Sequence, residues 1–331
     1  MVDLDRRLAA IAVNKHSLVT LADVQDAGGG RGSAHRRVAS GRWEQTASGV
    51  YRLAGVPSSY ESRVMGAVLA AGPGAAASHL CAARLLGIDF VTAAPELSIP
   101  RGRRHRPEGI RVHQSTDLDR CEIQLAAAIP VTDPARTLLD LGRYIGPGAL
   151  QRAVEQARRL ELVCWSDLIR CLVTHARQGR HGIRRLRLVI ADGVAYDAVT
   201  DTDSELLALS IIRERGLPEP VLHHRVYDAE GELLAELDLA YPERKAAVEI
   251  DGTAHLDPAI RRKDDARDHE LRRRGWTIRR VWWEIPVRQP DQFARLMRDF
   301  LRDTEPTPAV LESFRLGLPN ETTQEREGVT R

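Results

Sequence analysis

The sequence predicts a mixed α/β (α+β) multi-domain chain. It comprises an N-terminal winged helix-turn-helix, a mostly helical middle domain and a C-terminal mixed sheet flanked by helices. Three observations carry this. The 331 residues exceed what one hydrophobic core usually holds, so two or three domains are expected. The hydrophobic pattern changes character near residues 55 and 200. The last third then runs helix, strands, helix, strand, helix.

Composition sets the class before any motif does. Hydrophobic residues at 43% and charged residues at 28% describe a globular chain, and a net charge of +2 excludes bulk basicity as the source of any nucleic-acid affinity. Such a surface must come from local clustering. Cys81, Cys121, Cys164 and Cys171 form no CxxC pair and no Cys/His metal spacing, so they read as reduced core thiols. The opening "MVDLDRRLAAIAVNK" is charged where a signal peptide needs an apolar run, and no stretch reaches the roughly 20 apolar residues of a membrane span. The expectation is a cytoplasmic, soluble protein.

The elements follow in order. In residues 1–55, "LADVQDAG" reads as a first helix, the glycines as a turn, "GSAHRRVASG" as a recognition helix with Ser33 near its cap, and "RWEQTASGVYRL" as a wing of two strands. A recognition helix enters the major groove, which makes Ser33, His35, Arg36 and Arg37 candidate DNA contacts, with Arg42 and Arg52 reaching phosphates from the wing. Residues 58–195 are Ala- and Leu-rich. Gly72-Pro73-Gly74 breaks one helix from the next, and "PELSIPRGRRHRPEGIRVHQS" reads as two strands joined by a basic loop. Here Ser78, His79, Arg136 and Asp140 stand out, with His79 and Arg136 read as internal hydrogen-bonding groups. Residues 200–303 form the third domain, and 304–331 a frayed tail.

The third domain carries the most chemistry. "DTDSELLALSIIRERG" reads as a helix with Ser204 as N-cap, Glu205 in its first turn and Gly216 closing it. "LLAELDLAY" and "AAVEIDG" are strand-like, with "PERK" between them as a turn. Pairing Tyr241 with Ala246 sets Asp238 opposite Glu249 and Glu236 opposite Asp251, while the leucines share the other face. A slip by one residue would mix the two sets, so the pattern selects this register. Opposed like charges are destabilising. Either the four acids form a solvent-facing polar side, or a divalent cation relieves them. Next, "AIRRKDDARDHELRRRG" is a helix dense in arginine, with Arg267 among the candidate phosphate contacts, and "WTIRRVWWEI" a strand that returns Arg280 to the sheet. The interleaved acids also suit a solvated helix face.

From the helix with Glu205 through "ELDLAYPERKAAVEIDGTAH" to "RDHELRRRGWTIRRVWW", residues 200–303 resemble the very-short-patch-repair (Vsr)-like endonuclease domain of the PD-(D/E)XK superfamily, domain of unknown function 559. The resemblance implies a restriction-endonuclease-like core that hydrolyses DNA phosphodiesters with Mg²⁺ or Mn²⁺. It implies that Asp238 and Glu249 are metal ligands and that Glu205 is the accompanying helix acid; Asp251, which departs from the family pattern, is read as a further metal ligand. The superfamily's usual Lys, two residues after the second acid, is here Asp251. His255 or Lys263 would have to serve in its place, and this departure leaves a non-catalytic DNA-binding regulator as the alternative. Residues 1–55, continued by "SHLCAARLLGI" and "PVTDPARTLLDL" to about residue 195, resemble AbiEi-type antitoxins. That resemblance implies operator DNA and a cognate toxin protein as partners.

Overall fold

The computed structural model describes residues 2–90, 94–103, 109–193, 200–251 and 258–306, with the side chains of residues 2, 3, 201 and 258–265 outside that description. Thirteen α-helices and three sheets are found among the described residues. They fall into two compact units, Met1–Cys171 with Arg184–Val189, and Leu172–Ile183 with Ile190–Arg331. The expected tail beyond residue 306 lies outside the described residues.

The first unit opens with α1 (Val2–Val13), β1 (Leu18–Thr20), α2 (Leu21–Asp26), α3 (Arg31–Ala39), β2 (Trp43–Ala47) and β3 (Val50–Leu53). The strands pair in the order β1-β3-β2, antiparallel throughout, giving the expected wing. Thr20 starts α2 through a capping box with Asp23, which satisfies two of the helix's otherwise unpaired N–H groups. Gly29 makes the tight turn possible, because a Cβ there would sit 2.8 Å from the Val24 side chain. Leu8, Ala12, Val19, Val24, Ala34 and Trp43 form the core beneath.

The middle segment continues with α4 (Tyr60–Ala71), β4 (Ala76–Ala77), α5 (His79–Leu85), β5 (Glu96–Pro100), β6 (Arg111–Ser115), β7 (Ile123–Ala126), β8 (Ile129–Thr132), α6 (Pro134–Leu141), α7 (Pro147–Arg159), α8 (Trp165–His175) and α9 (Ile183–Gly193). Gly72 and Gly74 end α4 with φ of 80° and 78°, as the Gly-Pro-Gly pattern predicts. Helices make up most of the regular structure here, as expected, but the segment also holds a sheet that the pattern did not show. A five-stranded sheet, β6-β5-β4-β8-β7, organises it. Its central strand is the two-residue Ala76–Ala77, too short to give a period, and only β5 and β6 were legible. Those two strands run parallel. Leu97, Ile99, Ile129 and Val131 from this sheet share a core with Val64 and Val68 of α4 and with Leu18 and Val50 of the wing sheet.

The second unit contains α10 (Asp201–Arg215), β9 (Val221–Tyr227), β10 (Leu233–Tyr241), β11 (Ala246–Asp251), α11 (Pro258–Arg273), β12 (Thr277–Trp282), α12 (Glu284–Arg288) and α13 (Pro290–Asp303). The sheet order is β12-β11-β10-β9, parallel between β11 and β12 and antiparallel elsewhere, which is the expected mixed sheet. The hairpin register is the one the pattern selected, with Tyr241↔Ala246, Ala240↔Ala247 and Leu239↔Val248. Gly216 caps α10 in the left-handed region as expected. The N-cap is Thr200 rather than Ser204, held by a capping box with Asp203, so Glu205 stands in the second turn. Thr200 wins because its backbone is extended and its hydroxyl accepts from the Asp203 N–H, while Ser204 is already helical. No helix among the described residues is long and apolar enough to cross a membrane.

Candidate nucleic-acid interface

Helix α3 divides by its period of 3.6 residues. Ser33, Ala34, Arg37 and Val38 lie on the inward stripe, the first three of them buried, while Arg31, Gly32, His35, Arg36 and Ala39 are exposed. The outward face thus presents Arg31, His35 and Arg36 together. Arg31 was missed, because the reading started the helix after it. The structural N-cap is Gly30.

Two expected DNA contacts are committed inward. The Arg37 guanidinium donates to Asp5 Oδ1 through Nε at 2.9 Å and Nη2 at 2.6 Å, and to the Ser33 carbonyl at 3.1 Å. It also donates to Ser33 Oγ and lies 5.3 Å from the centroid of the Trp43 ring. Ser33 and Arg37 therefore fasten α3 to α1 and to the wing. On the wing, Arg52 is paired with Glu44 on the neighbouring strand, and Arg42 is exposed with Asp5 at 3.7 Å. Of the candidates in residues 1–55, His35, Arg36 and Arg42 are the ones that face solvent.

In the second unit, the structure gathers several carboxylates and supplies cations that the hairpin alone did not reveal. Arg225 of β9 sits beside Glu236 in register and donates to it at 2.9 Å. His223, also on β9 and unforeseen, lies 3.3 Å from the buried Glu205 and 3.7 Å from Glu236. Across β11, Glu249 is in register with Arg280 of β12 and accepts from it at 3.3 Å. Arg267 of α11 donates to both Glu249 oxygens, at 3.1 and 2.9 Å. Arg280 continues to the buried Asp268 at 3.0 Å. Arg267 and Arg280, expected at phosphates, instead close an ionic network around Glu249. A hairpin register shows only one neighbour of each strand, and the relieving arginines come from β9, β12 and α11.

Asp238 accepts the Ile250 N–H at 2.8 Å. Burial raises its carboxyl above the usual carboxylate range, opposed by that N–H and by His223. Glu249 is likewise raised, by burial first, with Arg267 and Arg280 pulling the other way. Asp251 ends β11 half-buried, in register with Trp282. His255 and the side chain of Lys263 lie outside the described residues. This donor set fits a hard divalent cation only in part. Asp238 offers a desolvated carboxylate, but both oxygens of Glu249 are already engaged by a guanidinium, which a cation would have to displace.

Residues 6–54 match the family model of the AbiEi antitoxin transcriptional regulator, so the N-terminal segment is similar to a DNA-binding regulator domain. The endonuclease-like resemblance of residues 200–303 has no such support. No curated protein matches the chain. Among solved structures, the RV2827C protein from Mycobacterium tuberculosis aligns with 17% sequence identity and a TM-score of 0.31, over 70% of this chain and 90% of that one.

Proposed function

We propose that this protein is a DNA-binding transcriptional regulator of the AbiEi antitoxin type that recognises its operator through the outward face of α3. The observation that carries the reading is the partition of that helix. Arg31, His35 and Arg36 point away from the core, while Ser33, Ala34 and Arg37 anchor it. In a helix-turn-helix, the exposed face of the second helix reads base edges, where Arg bidentate to guanine is the commonest specific contact. The family match over residues 6–54 supports the same reading. A cognate toxin is the protein partner that this family suggests.

Selection of duplexes from random sequence by the full chain tests the proposal. A recovered motif whose binding is lost in Arg36→Ala is expected. Salt-dependent binding with no sequence preference would argue against operator recognition.

A second reading, metal-dependent phosphodiester hydrolysis in the second unit, is favoured by one observation. Burial holds Asp238 and Glu249 above the usual carboxylate range, a strain that a cation such as Mg²⁺ relieves. Calorimetric titration of Mg²⁺ and Mn²⁺ in the presence of duplex, with Glu249→Gln as control, is the test. Heat that persists in the control, or no nicking of plasmid at saturating metal, would remove this reading.

A further inference from the structure

The first unit holds a cluster that neither DNA recognition nor the carboxylate network uses. His79 begins α5, Glu96 begins β5, and His113 lies in β6. One ligand atom from each comes within 4.8 Å of the other two. His113 Nε2 lies 2.8 Å from Glu96 Oε1, and the two imidazoles stack with centroids 3.8 Å apart. Glu96 is 3% exposed and His79 6%. We propose that His79, Glu96 and His113 form a binding site for a divalent transition metal, with Zn²⁺ the best fit.

The donor chemistry selects the metal. Two imidazoles and one carboxylate match the borderline preference of Zn²⁺, whereas Mg²⁺ and Ca²⁺ favour all-oxygen sets. Three protein ligands leave a fourth tetrahedral position for water. With metal–ligand bonds of about 2.0–2.1 Å, tetrahedral ligand atoms stand about 3.3 Å apart. To reach that spacing the His113–Glu96 contact opens by about half an ångström, and the two stacked rings tilt so that both Nε2 lone pairs meet one ion.

The surroundings orient the ligands as metal sites require. His79 Nδ1 lies 2.9 Å from Ser78 Oγ, which in turn accepts from Ser98 Oγ at 2.9 Å. His113 Nδ1 lies 3.4 Å from the Tyr144 hydroxyl. Each imidazole thus has an oxygen on Nδ1, which leaves Nε2 as the coordinating nitrogen. His79 also holds a left-handed backbone, φ 56°, a conformation that a β-substituted residue adopts at a cost. Arg111 reaches Glu96 at 3.5 Å, but its side chain is 62% exposed, so it can turn to solvent when a cation arrives.

The test uses the full chain, stripped with a chelator and titrated with Zn²⁺ against a chromogenic competitor. About one tightly held equivalent per chain is expected. It should be lost in His113→Ala and in Glu96→Gln, the latter retaining the side-chain shape and a hydrogen bond to His113. His181→Ala, at an exposed position outside the cluster, should bind as wild type. Ser78→Ala is expected to weaken binding roughly 10–100-fold, as loss of a group that orients a ligand does. Co²⁺ substitution in the wild-type chain adds a readout independent of any variant's folding, the visible absorption of a four-coordinate ion. No tight equivalent, an unchanged equivalent in Glu96→Gln, or an octahedral Co²⁺ spectrum would each overturn the proposal.

Discussion

Arg36 and Arg37 are adjacent in sequence, yet the structure predicts that they fail in opposite ways. In Arg37→Ala, α3 loses its guanidinium bonds to Asp5 and to Ser33 and its cation–π contact with Trp43. Hydrogen bonds to a charged group are worth about 1.5–3 kcal/mol, and the ring contact adds about 0.5–1 kcal/mol. The Asp5 side chain is 44% exposed and rehydrates after truncation, so the full penalty for breaking a buried pair does not apply. The net loss is about 2–3 kcal/mol. For a unit of this size that is roughly 5–10 °C in melting temperature. Arg36 has no such commitment to the core, and Arg36→Ala should melt within about 0.5 kcal/mol of wild type. Its DNA affinity should fall about tenfold or more, with a salt slope about one unit shallower if it touches a phosphate. Scanning calorimetry paired with fluorescence anisotropy across a salt series reads both quantities. An Arg37→Ala protein that melts like wild type while losing DNA affinity would refute the inward assignment of this arginine.

Other outcomes follow from the same geometry. Arg136 is fully buried, donating to Asp140 at 3.0 Å and to Asp117 and Ser115 at 3.2 Å, so Arg136→Ala removes the guanidinium that two buried carboxylates face. Urea unfolding of the first unit should lose about 3–5 kcal/mol, and a loss under 1 kcal/mol would contradict the network. Asp23 is subject to burial, which raises its carboxyl, but bonds from Lys15 and Thr20 outweigh this and hold it below the usual range. Its contribution is therefore present above the ordinary carboxylate pKa and lost as pH falls through the lowered one. An Asp23→Asn chain should show a shallower acid limb in a melting-versus-pH series. Asp238 runs the other way. A raised carboxyl favours folding when protonated and loses that contribution as pH rises through its folded-state pKa. Asp238→Asn keeps an acceptor for the Ile250 N–H and should melt no lower than wild type at neutral pH without metal; a clear drop would mean the charge is compensated by a group not yet placed.

Period and turn chemistry alone determined a good deal. The hairpin register follows from a face swap that a one-residue slip would cause, and Gly216 and Gly72 mark helix ends because only glycine takes those dihedrals freely. The inward stripe of α3 was also legible, since Ser33, Ala34, Arg37 and Val38 recur at helical spacing around a small and an apolar residue. The reading weighted charge over period there and counted Arg37 among the DNA contacts.

Tertiary structure decided the rest. The arginines that neutralise Glu236 and Glu249 come from strands and a helix up to 31 residues away in the chain, and no local pattern encodes which strand adds to which edge. The middle sheet hides for the same reason, because its central strand is two alanines that become a strand only when β5 and β8 bond to either side. His79, Glu96 and His113 are spread over 35 positions and three elements, with no ligand spacing to read. Sequence specifies which groups a segment carries and which face they share; the packing of distant segments sets what each buried charge meets.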